Sequence, residues 1–298
     1  MKEIKLDDIE KVLILGSGTL GLRVGLQAAI SGFDVCIYDL TNEILTSSKI
    51  IQAKLLKSLA REGKIQGKDI DAILSRLSYT TDPSLAASKA DFVSESVTED
   101  VIIKQKVWKQ FGELCLPHTV FTTNTSFLLP SMFAEHSGRP DRFCAFHFHD
   151  VFVANVVDIM PHPNTGQWVI DLLFEMGKKL NQTPVLIKKE SPGYIFNHIL
   201  MHILTSAGSL LSNDIGTIYD IDRSWMGNFN TPVGPFGMLD QIGLDTAWHV
   251  SKNNDMPKSH EFVTLLKTYI DQGKLGIKTG EGFYSYPNPE YQKEGFVI

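Results

Sequence analysis

An α/β protein, with a doubly wound sheet domain followed by an all-helical C-terminal domain, is predicted by three observations. Apolar strand-like runs alternate with helical runs through the first two thirds of the chain; a glycine turn joins the first strand to the first helix; and strand-like runs stop beyond Ser191-Pro192-Gly193. Such alternation favours a parallel sheet with helices on both faces. The expected boundary places residues 1–189 in the sheet domain and 190–298 in the all-helical domain.

Residues 11–39, KVLILGSGTLGLRVGLQAAISGFDVCIYD, carry the most information. The strand VLIL runs into G-x-G-x-x-G at Gly16, Gly18 and Gly21, where a backbone without Cβ atoms lets a pyrophosphate come close. The following helix would turn its free N–H groups and positive dipole end toward that anion. This context makes the first domain Rossmann-like, with cofactor contacts expected from Gly16, Ser17, Gly18, Thr19, Leu20 and Gly21. Asp39 ends the second strand, where a carboxylate accepts from ribose hydroxyls and repels a 2′-phosphate, so NAD is expected over NADP.

Beyond Asp39 the spacing predicts a helix over residues 42–62 and a second helical run over 69–77. SYTT, DFVSESV and TVFTTNTS read as short strands, with a helix around Lys104 to Leu114 between the last two. FCAFHF and NVVDIM extend the sheet, residues 164–181 return as a helix, and PVLIKKE follows. The second domain reads as helices Tyr194 to Ser212, Asp220 to Met226, Leu239 to Asn253 and His260 to Gln272, with TPVGPFG as a loop.

Bulk properties exclude several function classes. A formal net charge of −6 and the absence of clustered basic tracts leave no footprint for nucleic acid or an acidic membrane surface. The charged start MKEIKLDDIE lacks the apolar core of a signal peptide, and the most apolar stretch, residues 12–30, is broken by glycines and Arg23. Cys36, Cys115 and Cys144 are widely spaced without a C-x-x-C pair, which fits buried thiols in a reducing cytoplasm and no structural zinc. His198 and His202 lie one helical turn apart without an acidic third ligand at a recognisable spacing, so no metal is expected.

His147 ends an apolar strand, where open α/β sheets place their ligands, and Asp158 follows after a short return. A carboxylate on one imidazole nitrogen would fix the tautomer and leave the other nitrogen to accept a hydroxyl proton. His149 lies two residues along on the same face of the strand and competes for that role.

Seven ordered motifs, GSGTLG at 16, SESVTED at 94, FTTNTSFL at 121, DRFCAFHF at 141, SPGYIFN at 191, TPVGPFGMLDQIGLDT at 231 and KLGIKTGEGFYSY at 274, span nearly the whole chain. Together they resemble the short-chain L-3-hydroxyacyl-CoA dehydrogenases, including 3-hydroxybutyryl-CoA dehydrogenases. The resemblance implies an NAD-dependent oxidoreductase of fatty acid metabolism, a homodimer through its helical domain, and an active site between its two domains. It implies that His147 is the general base and that Asp158 stands for a glutamate that orients it. Ser126 and Asn197 then match residues that polarise the substrate oxygen, Ser126 also lying near the nicotinamide. Glu99, Lys104 and Lys278 match cofactor contacts. The same register places His149 on a position that is usually phenylalanine.

The chain departs from this pattern in two places. After His147 it reads Phe148-His149-Asp150-Val151 where the family usually reads FFNP, so a carboxylate at Asp150 stands where an amide would touch the cofactor. In the helix over 42–62, Leu55 and Glu62 stand where the family has a serine and a lysine for the CoA end, with Lys54, Lys57, Ser58 and Lys64 as nearby substitutes. The principal reading is therefore interconversion of a 3-hydroxyacyl-CoA and a 3-ketoacyl-CoA. One alternative is a dehydrogenase of free 3-hydroxy acids, of the carnitine or gulonate type, and another is a non-catalytic NAD-binding sensor or structural protein.

Overall fold

The computed structural model describes residues 3–252 and 259–297. Its chain divides into two compact units, Met1–Tyr194 and Ile195–Ile298. The strands of the first unit are β1 (Lys11–Leu15), β2 (Asp34–Tyr38), β3 (Leu77–Thr80), β4 (Phe92–Glu95), β5 (Val120–Thr123), β6 (Phe143–Phe148), β7 (Val156–Pro161) and β8 (Thr183–Leu186). Its helices are α1 (Thr19–Ile30), α2 (Asn42–Arg61), α3 (Ile70–Ser75), α4 (Pro83–Ala87), α5 (Val101–Leu114) and α6 (Gln167–Lys179).

One sheet forms in the order β3-β2-β1-β4-β5-β6-β7-β8. Side chains alternate across it, as a period of two requires. Val12 and Ile14 of β1 join a core with Val24 and Leu26 of α1 and Leu173 and Met176 of α6. Leu13 and Leu15 face the other way, into Ala86 and Ala87 of α4 and Trp108 and Phe111 of α5. Helices thus cover both faces, and β1 is apolar from Val12 to Leu15 because neither side meets water there.

The pairing is parallel except at β6, which runs antiparallel to β7 with His147 opposite Asp158. Residues 149–155 are too few for a parallel crossover, which needs about a dozen residues or more, so the chain folds straight back. The strand expected over TVFTTNTS stops at Thr123, where Asn124 N–H still bonds to the Glu95 carbonyl and the chain then leaves the sheet. Helix α4 is an addition to the expected elements. Asp82 caps it by accepting from Ser84 N and Leu85 N, and Pro83 occupies its first turn.

The second unit contains α7 (Phe196–Ser212), α8 (Ile218–Phe229), α9 (Pro235–Ile242), α10 (Leu244–Ser251) and α11 (Ser259–Ile270). α8 extends beyond Asp220 to Met226 because a Thr217–Asp220 capping box starts it and Asn230, in the left-handed region at φ 51°, ends it. The single helix expected from Leu239 to Asn253 is two helices: Gly243 at φ 94° breaks it. Asn253 itself lies outside the described residues. The TPVGPFG loop ends early, since Pro235 is suited to begin α9.

Two buried carboxylates tie this unit together. Asp222 accepts from the backbone N–H groups of Phe236 and Gly237 at 2.9 and 3.0 Å and from the Tyr284 hydroxyl at 2.9 Å. Asp240 accepts from the N–H groups of Phe283 and Tyr284, both at 2.8 Å, and from the Tyr286 hydroxyl at 3.1 Å. Burial pushes both carboxyls above the usual range, and these donors hold the shift down.

Candidate active site

At the glycine turn the three glycines serve different needs. A Cβ on Gly16, at φ 91°, would lie 2.7 Å from the Ser96 carbonyl oxygen, and one on Gly21 would lie 2.0 Å from the Gly16 oxygen. Those two are required by the fold. A Cβ on Gly18 would meet nothing within 4 Å, although Gly18 precedes α1 and puts no capping side chain over its amides. Open space above an uncapped helix start suits a pyrophosphate. Asp39 is held in place beside it: one oxygen accepts from Ser17 N at 2.7 Å and Ser17 Oγ at 2.9 Å, the other from Leu40 N at 2.7 Å.

The loop after β5 is braced by buried charge. Lys104 of α5, 1% exposed, places its ammonium 2.6 Å from Glu95 Oε1 and 3.4 Å from Glu99 Oε2. Glu95 also accepts from Val97 N and from Thr123 Oγ1 at 2.8 and 2.6 Å. Glu99 accepts from the Thr125 hydroxyl and from the N–H groups of Ser126 and Phe127 at 3.0 and 3.2 Å. Asn124 Oδ1 receives Phe148 N at 2.7 Å, which fixes the loop to the end of β6.

Ser126 is thereby set against His147. Its Oγ lies 3.2 Å from His147 Nε2, and His147 Nδ1 lies 3.2 Å from Asp158 Oδ2. His149 Nε2 reaches the same Asp158 oxygen at 2.9 Å. An ionised carboxylate can only accept, so Nδ1 of His147 carries the proton and Nε2 keeps a lone pair facing Ser126. Tyr194 stacks on the imidazole, with ring centroids 4.5 Å apart and 15° between planes, and donates its hydroxyl to the Thr125 carbonyl at 2.7 Å. Burial lowers the His147 pKa; Asp158 opposes this, and the positive charge His149 can carry adds to it. Burial alone would raise the Asp158 carboxyl, but hydrogen bonds from both histidines reverse this and hold it below its ordinary value. The arrangement is a neutral imidazole with an oriented lone pair, able to take a proton from a hydroxyl.

Comparison with known proteins settles the family. Residues 11–191 match the model described as 3-hydroxyacyl-CoA dehydrogenase, NAD binding domain, and residues 193–286 match that family's C-terminal domain. The chain belongs to the 3-hydroxyacyl-CoA dehydrogenase family. It is 31% identical over 291 residues to the mitochondrial hydroxyacyl-coenzyme A dehydrogenase of Homo sapiens, covering 93% of this chain and 91% of that one. It is also 31% identical over 280 residues to a 3-hydroxybutyryl-CoA dehydrogenase of Clostridioides difficile, covering 93% and 99%. Among solved structures, a diketoreductase acting on dicarbonyl compounds superimposes with a TM-score of 0.86 at 35% identity, covering 96% of this chain and all of that one. The (S)-3-hydroxybutyryl-CoA dehydrogenase of Ralstonia eutropha gives 0.86 at 27% identity, covering 94% and 100%. The protein is an NAD-dependent oxidoreductase of the CH–OH class, and among the described residues no helix is long and apolar enough to cross a membrane.

Within this dehydrogenase, the remaining expected site residues are placed as follows. Asp150 turns to Arg23 of α1 at 3.4 Å and accepts from Phe152 N at 3.0 Å, so its charge is answered within the same unit. In the helical unit, Asn197 is the second residue of α7 and half-buried, and Lys278 pairs with Asp245 at 2.5 Å. Glu95, Thr123, Asn124 and Tyr194 were not singled out from sequence. Of these, only Tyr194 carries a local signal, because Gly193 and Tyr194 both adopt positive φ, 76° and 56°, after Pro192.

Gly18→Ala and Gly21→Ala separate the two uses of glycine. Gly18→Ala is expected to melt close to the unmodified protein while NADH affinity, read by fluorescence titration, falls at least ~10-fold. Gly21→Ala is expected to lower the melting temperature as well; equal melting of the two variants would refute the distinction.

Proposed function

We propose that the enzyme interconverts a 3-hydroxyacyl thioester of CoA and the 3-keto compound, with His147 as the general base. The carrying observation is the Ser126–His147–Asp158 chain, in which Nε2 alone retains a lone pair. NAD supplies a hydride acceptor for oxidation and, when reduced, a hydride donor for the reverse reaction. In oxidation, His147 Nε2 takes the hydroxyl proton, and Asp158 stabilises the imidazolium while keeping its ring in place. In reduction, the same imidazolium returns the proton to the developing alkoxide. Ser126 and Asn197 donate to that oxygen, with bonds that strengthen as it gains charge. Glu99 acts through the Ser126 amide, fixing the loop that carries the hydroxyl.

The substrate has a second reading, favoured by α2. Leu55 packs against the core, and Glu62 accepts from Ser58 Oγ at 3.0 Å and pairs with Lys64 at 3.1 Å, which occupies two of the residues placed to meet CoA. The likeness to a diketoreductase points the same way, to a free dicarbonyl compound and its hydroxy product. Comparing acetoacetyl-CoA with free acetoacetate and longer free diketo acids as oxidants of NADH decides between them. Preference for the thioester supports the first reading and preference for a free acid the second.

We infer further a cytoplasmic homodimer assembled through the helical unit, where Leu210, Ile215 and Phe229 expose 42%, 72% and 63% of their surfaces between α7 and α8. A monomer by analytical ultracentrifugation would remove that part.

His147→Gln tests the base directly. Its kcat is expected to fall by ~10²–10⁴-fold with NADH binding retained, and undiminished turnover would refute the role. Because burial lowers the His147 pKa, the base stays neutral down to acid pH. The kcat/KM for alcohol oxidation should therefore fall only on acidification below the ordinary imidazole value of about 6.5. A midpoint above that value would contradict it.

A further inference from the structure

The proposed reaction needs one imidazole, yet two meet Asp158. Antiparallel register sets Asp158 opposite His147, and His149 lies two residues along on the same face of β6's extension. His147 Nδ1 and His149 Nε2 approach Asp158 Oδ2 at 3.2 and 2.9 Å, and one nitrogen or oxygen from each of the three residues lies within 4.8 Å of the others. A single oxygen facing two N–H groups from residues of different depth is also a ligand set of two nitrogens and a carboxylate.

We propose that His147, His149 and Asp158 form a regulatory site for Zn²⁺, through which the ion reversibly switches off the general base. Zinc bonds of about 2.0–2.2 Å to imidazole and carboxylate at tetrahedral angles put ligand atoms roughly 3.3–3.5 Å apart, close to the 3.2 and 2.9 Å that separate the two nitrogens from Asp158 Oδ2, and the carboxylate swings aside to let the ion take the place on which both nitrogens converge. Two histidines and one carboxylate leave the fourth position to water, the composition of open zinc sites. His147 has the outer partner such a ligand requires, Ser126 Oγ on its other nitrogen. The way in lies beside His149, whose side chain is 11% exposed against 3% for each of the others. Nitrogen ligands favour zinc over Mg²⁺ and Ca²⁺, which prefer oxygen alone.

Inhibition follows from proton placement and rests on the reading of His147 as base. For zinc to bind, the ring proton of His147 moves from Nδ1 to Nε2 and that of neutral His149 from Nε2 to Nδ1, which frees one lone pair on each ring for the ion. No proton is gained or lost by either ring. His147 Nε2 then faces Ser126 as a donor and has no lone pair for a substrate hydroxyl.

The test pairs a binding readout with an activity readout on the full chain stripped of metal. Titration with Co²⁺ should produce the visible absorption of a nitrogen- and oxygen-ligated ion at one equivalent, and Zn²⁺ should bleach it. Both His149→Phe and His149→Gln should lose this signal, and two variants guard against a folding defect in one. A His198→Ala/His202→Ala double variant, which removes the surface histidine pair on α7, should keep it. Zinc should inhibit alcohol oxidation, chelator should restore it, and the half-inhibiting concentration should rise at least ~10-fold in the His149 variants. Absence of the cobalt signal, or equal binding by the His149 variants, overturns the site. One equivalent bound at His149 with undiminished oxidation overturns the switch, and if His147→Gln also turns over normally the base reading falls with it.

Discussion

The short return between Phe148 and Val156 is the constraint on which the catalytic region depends. With only residues 149–155 available, β7 folds back beside β6, and that antiparallel register places Asp158 opposite His147. Directly opposed side chains in such a pair have Cβ atoms about 4.5–5.5 Å apart, near enough for an aspartate to reach an imidazole without the extra methylene of a glutamate. A slip of one residue would turn Asp158 to the opposite face and leave His147 buried with nothing to fix its tautomer. Loop length, register and carboxylate type are therefore one choice.

The second support is electrostatic. Glu95, Lys104 and the exposed Glu99 run from the end of β4 to the loop after β5, and burying the charges of Glu95 and Lys104 is tolerable only because they pair and make further hydrogen bonds. Removing Lys104 would strand a fully buried carboxylate, whereas its presence converts that carboxylate into an anchor for Val97 and Thr123. Tyr194 then closes the stack over His147 while its hydroxyl holds the Thr125 carbonyl. Ser126 owes its position to both devices.

Much of this was legible in the sequence, where a period or a local rule existed. The sheet and its first two crossovers follow from alternation and the glycine turn, and β7's direction is readable from the length of residues 149–155 alone. The break at Gly243 and the start of α9 at Pro235 are local backbone effects within an otherwise helical pattern. α4 is too short to show a period, though its Asp82-Pro83 start is a recognisable cap. Ser126, His147 and Asp158 could be named but not spaced, because their meeting depends on register. The Glu95–Lys104 pair had no sequence signature at all, since one residue ends a strand and the other lies in the first turn of the next helix. His149 read as a rival to His147; in the folded chain both address one oxygen.

Asp39 directly follows β2 and clasps Ser17 through both its amide and its hydroxyl. The carboxylate expected to discriminate between cofactors thus also braces the glycine turn. Exchanging it for a small neutral residue to admit a 2′-phosphate would release the turn at the same time. A redesign toward NADP would need a neutral side chain at position 39 that still accepts from Ser17, such as asparagine, together with a new cation. In this chain the residue set to choose the cofactor also keeps the turn rigid, through two hydrogen bonds from Ser17.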